Sequence, residues 1–259
     1  MDIKIVKGIG EGPTEIAAFD KALFKAGIHD FNLIKLSSVV PKNSKINKIK
    51  KWHTRTLVQL RFMQNKEIKI LGKKFIVLPG VFPPIFPDSI ILAKNILKEV
   101  KKNDRVLDIG TGSGIQAIFA ASKSNEIVAT DISNKALKCA EFNIKKYKFQ
   151  QKICLKKSNL FSKISGKFDL IIFNPPFRWF KPKNFDERSE TDENYFNLQK
   201  FFRMAKKFMS KNARIIMVFS NSGDIEFFES LIVKNNFYFK IISKKKSEGW
   251  LYRVYKIIS

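Results

Sequence analysis

From residue 105 onward, short apolar runs alternate with longer amphipathic stretches. Runs at 105–109, 126–130, 152–156, 168–173 and 213–219 have the length and β-branched content of strands. Stretches at 114–122, 133–147, 192–209 and 223–235 repeat apolar residues at helical spacing. Two further runs, 237–243 and 250–257, are separated only by Lys244-Lys245-Lys246-Ser247-Glu248-Gly249, which suits a hairpin and an antiparallel edge. Strands alternating with helices predict an α/β fold: a doubly wound, Rossmann-like sheet, mostly parallel, with an antiparallel C-terminal hairpin strand.

Upstream the pattern changes. Residues 3–8 and 31–36 read as strands, and 15–26 as a helix with Ile16, Ala17, Phe19, Leu23 and Phe24 on one face. Together they predict a small βαβ piece. A polar, Lys-rich stretch from Pro41 to Lys51 follows and marks a boundary. Residues 52–63 fit a helix or a strand. Runs at 68–71 and 74–78 predict a hairpin around Gly72-Lys73. A loop with Pro79, Pro83, Pro84 and Pro87 leads to a helix capped by Asp88 or Ser89 and reaching about Lys101. The expected parts are an appendage at 1–48, a lead-in at 49–95 and the main domain at 96–259.

Composition adds charge to this picture. The 49 Lys and Arg against 23 Asp and Glu give a net charge of +26. Such a field attracts polyanions, yet the lysines are spread along the chain, so charge alone bears on solubility and association. Cys139 and Cys154 show no metal-ligand spacing and make no disulfide framework, so both are expected to be buried or partly buried thiols. His29 and His53 are isolated, and no metal site is expected. The N-terminal Met1-Asp2-Ile3-Lys4 lacks an apolar leader, and no run approaches the ~20 apolar residues of a membrane span. A cytoplasmic protein without a membrane partner is the expectation.

The sharpest motif is Asp108-Ile109-Gly110-Thr111-Gly112-Ser113-Gly114, between an apolar strand and an Ala- and Ile-rich helix. Glycines let the backbone adopt turns closed to other residues and approach a ligand closely. Taken alone, such a loop also fits an NAD enzyme or a bare tight turn. The G-x-G-x-G spacing departs from the G-x-G-x-x-G of dinucleotide sites. Asp108 precedes the loop, where it can meet a cationic amino group. Asp131 ends the next strand about twenty residues on, suited to ribose hydroxyls.

The second motif is Asn174-Pro175-Pro176-Phe177, directly after the apolar run 168–173. Proline cannot donate a ladder hydrogen bond, so the strand ends there, at the carboxyl edge of the sheet. The Asn174 side-chain oxygen and the Pro175 carbonyl can both accept hydrogen bonds from an NH₂ group. Phe177 supplies a π-face for a planar substrate. The next residues, Arg178, Trp179, Phe180, Lys181 and Lys183, mix aromatics with cations, as a flipped base or a phosphate would need. A solvated lid fits them equally. Glu187, Arg188, Asp192, Glu193 and Asn194 fit a cap for the next helix.

The stretch 108–132 resembles motif I and the following acidic motif of the class I S-adenosylmethionine-dependent methyltransferases. By that resemblance, the cofactor is S-adenosyl-L-methionine. Gly110, Thr111, Gly112 and Gly114 form its loop, Asp131 holds the ribose, and Ile132 lies against the adenine. The family often carries Asp-Leu or Asp-Phe after the next strand; here Asn159-Leu160 stands in that place. Asn174-Pro175-Pro176-Phe177 is similar to the acceptor motif of the amino-methylating branch. That branch modifies bases in DNA or RNA, or a protein glutamine, and implies roles in catalysis for Asn174, Pro175 and Phe177. RNA is favoured by the charge and by Phe177 with Arg178 and Trp179. Glutamine is favoured by Val81 to Ser89, which resembles the lead-in of glutamine and "small-domain" methyltransferases, although those more often carry Tyr at the fourth motif position. A nucleic-acid-binding module that had lost catalysis would show damage at Asp108, Asp131 or Asn174; all three are intact.

Residues 1–46 resemble the N-terminal segment of pyruvoyl-dependent arginine decarboxylases. Gly8 to Gly12, Ala18 to Leu23 and Asn32 to Pro41 carry the likeness. In that family the chain cleaves itself between paired serines, which implies Ser37–Ser38 here, with Ser38 as the pyruvoyl precursor. The larger subunit of such an enzyme has no counterpart after residue 46. The piece is therefore expected to be an appendage with a structural or interaction role.

Overall fold

The computed structural model describes residues 66–182, 186–247 and 249–259. The elements expected at 3–8, 15–26 and 31–36, the segment 52–63 and Ser37–Ser38 lie outside the described residues.

Strands β1 (Lys66–Ile70) and β2 (Lys73–Val77) form the expected antiparallel hairpin. Its turn residues Leu71 and Gly72 both have positive φ, 47° and 83°. That geometry matches the twist of a two-residue hairpin. Helix α1 (Pro87–Glu99) begins on a proline, with Phe86 at the N-cap and no side-chain cap bond. Neither Asp88 nor Ser89 caps it; both lie inside its first turn.

The main sheet has seven strands: β3 (Arg105–Ile109), β4 (Glu126–Asp131), β5 (Ile153–Lys157), β6 (Phe168–Phe173), β7 (Met209–Ser220), β8 (Tyr238–Ser247) and β9 (Trp250–Ile258). Their order is β5-β4-β3-β6-β7-β9-β8, parallel except for β9, which runs antiparallel to both of its neighbours. Helices α2 (Ile115–Ala120), α3 (Asn134–Lys146), α4 (Phe196–Ala205) and α5 (Ile225–Lys234) complete the α/β alternation.

Side-chain alternation explains why both faces are covered. Val106, Leu170, Ile172, Ile216 and Val218 point into one core with α1, α2 and α3. Leu107, Ile171, Phe173, Met217 and Phe219 point into the other, with α4 and α5. Strands buried on both faces read as continuous apolar runs, as the central ones do here. The second core is rich in phenylalanine; the Phe219 and Phe228 rings stack with centroids 4.3 Å apart. Cys139 is buried, but Cys154 is exposed, against expectation, because β5 is an edge strand. No helix among the described residues is long and apolar enough to cross a membrane.

One buried ion pair ties the amino-terminal edge of the sheet together. Arg214 in β7 donates from Nη1 to Asp104 Oδ1 (2.9 Å) and from Nη2 to Asp104 Oδ2 (2.6 Å), with both side chains 6% exposed. The same guanidinium donates to the carbonyls of Asp169 and Glu99, reaching β6 and the end of α1. Removing one partner leaves a buried charge, at a cost of about 3–5 kcal/mol. Arg214→Met is therefore expected to lose that much in urea unfolding. Pairing it with Asp104→Leu should recover a large part. An equal loss in the single and double variants would refute the charge-burial account.

Candidate cofactor and acceptor site

The carboxyl end of β3 opens into the glycine loop. Gly110, Gly112 and Gly114 take φ values of 67°, 55° and 82°, the left-handed region that disfavours a side chain. A Cβ on Gly114 would lie 3.2 Å from Ala140 of α3, so this glycine lets the helix approach. A Cβ on Gly112 would meet nothing closer than the Gly110 carbonyl at 4.0 Å. The loop is pinned over β4. The Thr111 amide donates to the Thr130 carbonyl at 2.8 Å, and the Gly112 amide donates to Asp131 Oδ2 at 3.0 Å. The Ser133 amide takes the other Asp131 oxygen at 2.9 Å. Burial pushes the Asp131 carboxyl upward, and these amides oppose the shift. Ile132, the next residue, is 43% exposed, a bare apolar side chain beside the glycine cradle.

Asp108 is placed differently from an open, ligand-facing acid. It is 1% exposed. Its Oδ2 accepts from the Thr111 hydroxyl at 2.6 Å and the Ala117 amide at 3.1 Å, so it organises the loop and the start of α2. Burial pushes its carboxyl up to about 7. The folded chain then keeps a proton that the unfolded chain has released. This residue's contribution to stability therefore falls as the pH rises from the ordinary carboxylate range to about 7. After β5, Asn159 is exposed, while Leu160 is 8% exposed, has φ 51° and turns its side chain into the core.

The acceptor motif leaves the sheet beside this loop. Ile109 and Phe173 are level in adjacent parallel strands, so Gly110 and Asn174 emerge together. Asn174 Nδ2 donates to Asp88 Oδ2 at 2.9 Å. Asn174 Oδ1 is shut off from solvent and has no hydrogen-bond partner among the described residues. Asp88 is 4% exposed, and desolvation raises its carboxyl above the ordinary range. Sequence reasoning missed this contact, which joins residues 86 positions apart. The proline-rich segment before α1 was the available signal, read only for its resemblance and for a helix cap.

Other side chains make the acceptor loop rigid. The Tyr195 hydroxyl donates to the Phe177 carbonyl at 2.9 Å and accepts from the Asp224 amide at 2.7 Å. The Phe177 ring meets Phe219 edge-on at 5.3 Å. Gly223 passes so close that a Cβ there would lie 2.0 Å from the Phe177 carbonyl oxygen. Arg178 is paired with Glu190 at 3.1 Å, while Trp179 stays 46% exposed. Asp192 caps α4, accepting from the Asn197 and Leu198 amides at 3.0 and 2.9 Å. The expected helix 192–209 is thus shortened, because Asn194 and Tyr195 have φ 51° and 54°. Buried Asn143 joins the leading hairpin to the glycine loop: Nδ2 donates to the carbonyls of Ile76 (2.7 Å) and Ser113 (2.9 Å), and Oδ1 accepts from the Ile76 amide (2.8 Å).

Comparison with known proteins identifies the family. The methyltransferase small domain model matches residues 72–242, more than half of the chain, and the chain belongs to this family of S-adenosylmethionine-dependent methyltransferases. The pyruvoyl-dependent arginine decarboxylase model matches residues 2–58. A putative protein N5-glutamine methyltransferase of Methanocaldococcus jannaschii is 40% identical over 129 residues, 49% of this chain and 61% of that protein. Ribosomal RNA small subunit methyltransferase C of Buchnera aphidicola subsp. Acyrthosiphon pisum is 31% identical over 192 residues, 72% of this chain and 51% of that protein. The matches thus span between half and two thirds of the length of these curated relatives. Among solved structures, the T. thermophilus 16S rRNA N2 G1207 methyltransferase in complex with AdoMet and guanosine shares the fold at TM-score 0.58 and 20% identity, covering 74% of this chain and 49% of that one. The ribosomal protein L11 methylase of Lactobacillus delbrueckii subsp. bulgaricus shares it at TM-score 0.54 and 24% identity, covering 69% and 82%.

The close approach at Gly223 generates a test. Gly223→Ala must displace the Phe177 carbonyl and is expected to cost about 1–3 kcal/mol by overpacking. Hydrogen exchange at the Asp192, Asn194 and Asp224 amides should quicken while the glycine loop stays protected. Unchanged exchange at all three would mean that the contact does not hold the acceptor loop.

Proposed function

We propose that the chain is an S-adenosylmethionine-dependent N-methyltransferase acting on a planar NH₂ group, with a base in RNA as the acceptor. The observation that carries the reading is the orphaned Oδ1 of Asn174. A buried acceptor left unpaired costs about 1–3 kcal/mol, which an incoming N–H donor would relieve. Its partner atom Nδ2 is committed to Asp88, so the amide cannot turn its NH₂ toward a substrate without losing that bond.

When bound, S-adenosylmethionine supplies an electrophilic methyl group on a sulfonium. The residues present fit it. Gly110, Thr111, Gly112 and Gly114 form a cradle without side-chain obstruction at Gly112. Asp131 faces the ribose hydroxyls, Ile132 the adenine, and Asn159 and Leu160 border its edge. Asp108 contributes negative charge toward the methionine ammonium from behind the loop.

The chain's own chemistry is orientation. An NH₂ conjugated to a base or a carbonyl has its lone pair drawn into the π-system. Hydrogen bonds to Asn174 Oδ1 and the Pro175 carbonyl favour a more tetrahedral nitrogen and offset the positive charge that develops on it. Neither oxygen is basic enough to remove the proton first, so the two acceptors aim the lone pair. Phe177 provides the flat wall. RNA is supported by the net charge of +26 and by exposed Trp179. A second reading, a protein glutamine, is favoured by the 40% identity to the M. jannaschii protein. With either acceptor, we read the enzyme as cytoplasmic. Residues 1–48 we read as an appendage to this enzyme, with 49–95 as its lead-in and 96–259 as the catalytic domain.

Labelled methyl transfer into separate pools of rRNA, tRNA, DNA and release factor identifies the acceptor. Asn174→Ala should retain cofactor binding and lose two or more orders of magnitude in rate, about 3 kcal/mol. Asp88→Ala should lower kcat by about tenfold, since it frees the amide without removing it. Equal rates in all three proteins would end the assignment. The raised Asp108 carboxyl gives a second check. Cofactor affinity, measured by calorimetry, should rise as the pH climbs through about 7 and Asp108 ionises. Asp108→Asn should flatten that rise; an identical pH slope in the variant would remove Asp108 from this role.

A further inference from the structure

The β8–β9 hairpin carries six cations and one acid, Glu248, between residues 238 and 259. Arg253 and Lys256 are neutralised locally, by Glu229 at 2.9 Å and Glu99 at 2.7 Å. Lys244, Lys245 and Lys246 are different. All three are exposed, and none forms an ion pair among the described residues. Three consecutive like charges repel one another, and no ion pair among the described residues offsets that repulsion.

Strand register places this trio at the edge of the sheet that holds the acceptor loop. Phe173 is level with Met217, Met217 with Tyr255, and Tyr255 with Ile241. Moving toward the site, Ser220 is level with Tyr252, and Tyr252 with Lys245. Lys245 therefore stands a short way past the level of Asn174, on the same side. Three strand spacings separate β6 from β8, about 14 Å in all. That distance equals about four nucleotide steps of a stacked strand at ~3.4 Å each.

The hairpin is also fixed to the acceptor loop. Asn221, just after β7, accepts the Leu251 amide on its Oδ1 at 2.7 Å, and its own amide donates to the Leu251 carbonyl at 3.2 Å. Two residues on, Gly223 packs against the Phe177 carbonyl. The lysines thus sit at a set distance from the acceptor motif, with exposed Trp179 on the loop as a surface on which a neighbouring base can stack.

We infer that Lys244, Lys245 and Lys246 form a phosphate-binding rim that holds the backbone of an RNA strand whose target base enters at Asn174. This inference rests on the RNA reading and adds the surface that delivers the substrate. The rim reads no sequence; it contributes affinity and orientation.

The test uses the full chain. Binding to a short single-stranded oligoribonucleotide and to protein-free ribosomal RNA is measured across a salt series. The wild type is compared with Lys244→Glu/Lys245→Glu/Lys246→Glu and with Lys101→Glu/Lys102→Glu, a charge reversal at the opposite edge of the sheet. The hairpin variant should bind at least about tenfold more weakly, with the log–log salt slope reduced by about 2, as for the loss of three phosphate contacts. Its affinity for S-adenosylmethionine should be unchanged. The opposite-edge variant should keep the wild-type slope. Equal weakening in both variants would reduce the effect to net charge and overturn the rim, leaving the RNA reading intact. Strong binding by the hairpin variant would do the same. A wild type that binds neither RNA while methylating a protein would overturn both the rim and the RNA reading.

Discussion

The hydrogen bond from Asn174 Nδ2 to Asp88 Oδ2 decides which end of a carboxamide is available at the edge of the sheet. An amide has a donor end and an acceptor end of nearly equal size, and in isolation it could present either. A buried carboxylate on the donor end removes that freedom. The oxygen is then left without a partner among the described residues, a state that is unfavourable until a donor arrives. Preorganisation of this kind spends folding energy to hold a binding geometry. It also explains why the proline-rich lead-in is physically part of the site: α1 starts on Pro87 so that Asp88 sits beneath the acceptor loop.

The rest of the architecture keeps that amide near the cofactor loop. Parallel strands β3 and β6 are neighbours in register, so both loops leave from the same edge. Each loop is then fastened to something other than its own strand. The glycine loop is held by Asp131 from β4 and by Asn143 from α3, and the acceptor loop by Asp88, Tyr195 and the close passage of Gly223. These clamps are side-chain and backbone hydrogen bonds between distant segments, and they cluster at the carboxyl edge. The opposite edge is closed instead by the Arg214–Asp104 pair, two side chains bonded to each other through both Nη atoms and both carboxylate oxygens. One end of the sheet is built for stability and the other for open acceptors.

Much of the fold was legible because the central strands are buried on both faces. Runs 105–109 and 168–173 are mostly apolar, broken by Arg105, Asp108 and Asp169, and end abruptly at a glycine or at Asn-Pro-Pro, so their carboxyl limits follow from the sequence. Less regular stretches were misread for definable reasons. Strand β7 starts at Met209, four residues before the expected limit, because polar Ser210, Lys211 and Asn212 lie at a register shift beside Phe168 and Leu170. The helix expected from 192 begins at Phe196, because two residues take left-handed backbone that no periodicity reveals. The glycine cradle, Asp131 and Asn174 stood out as local motifs. Asp88, Asn143, Tyr195 and Gly223 did not, since each acts through a contact with a remote segment.

The acceptor motif and the surrounding surface carry different information. A carboxamide oxygen and a proline carbonyl recognise an NH₂ group attached to something flat, and a glutamine amide and a guanine or adenine amine satisfy them equally. The two curated relatives described above are named for glutamine and for ribosomal RNA, consistent with that degeneracy. Discrimination must then come from groups that touch the substrate beyond its reacting nitrogen. On this chain the groups we propose for that task are an exposed tryptophan and a cationic hairpin bonded to Asn221, two residues before the glycine that packs on Phe177. A protein loop would gain little from three adjacent lysines that have no ion pair among the described residues, whereas a sugar-phosphate backbone held at this edge would offset their charge and release counterions in doing so. Under the proposed RNA reading, the choice of substrate therefore lies in charge carried outside the Asn-Pro-Pro-Phe motif, on strands that follow it in the chain.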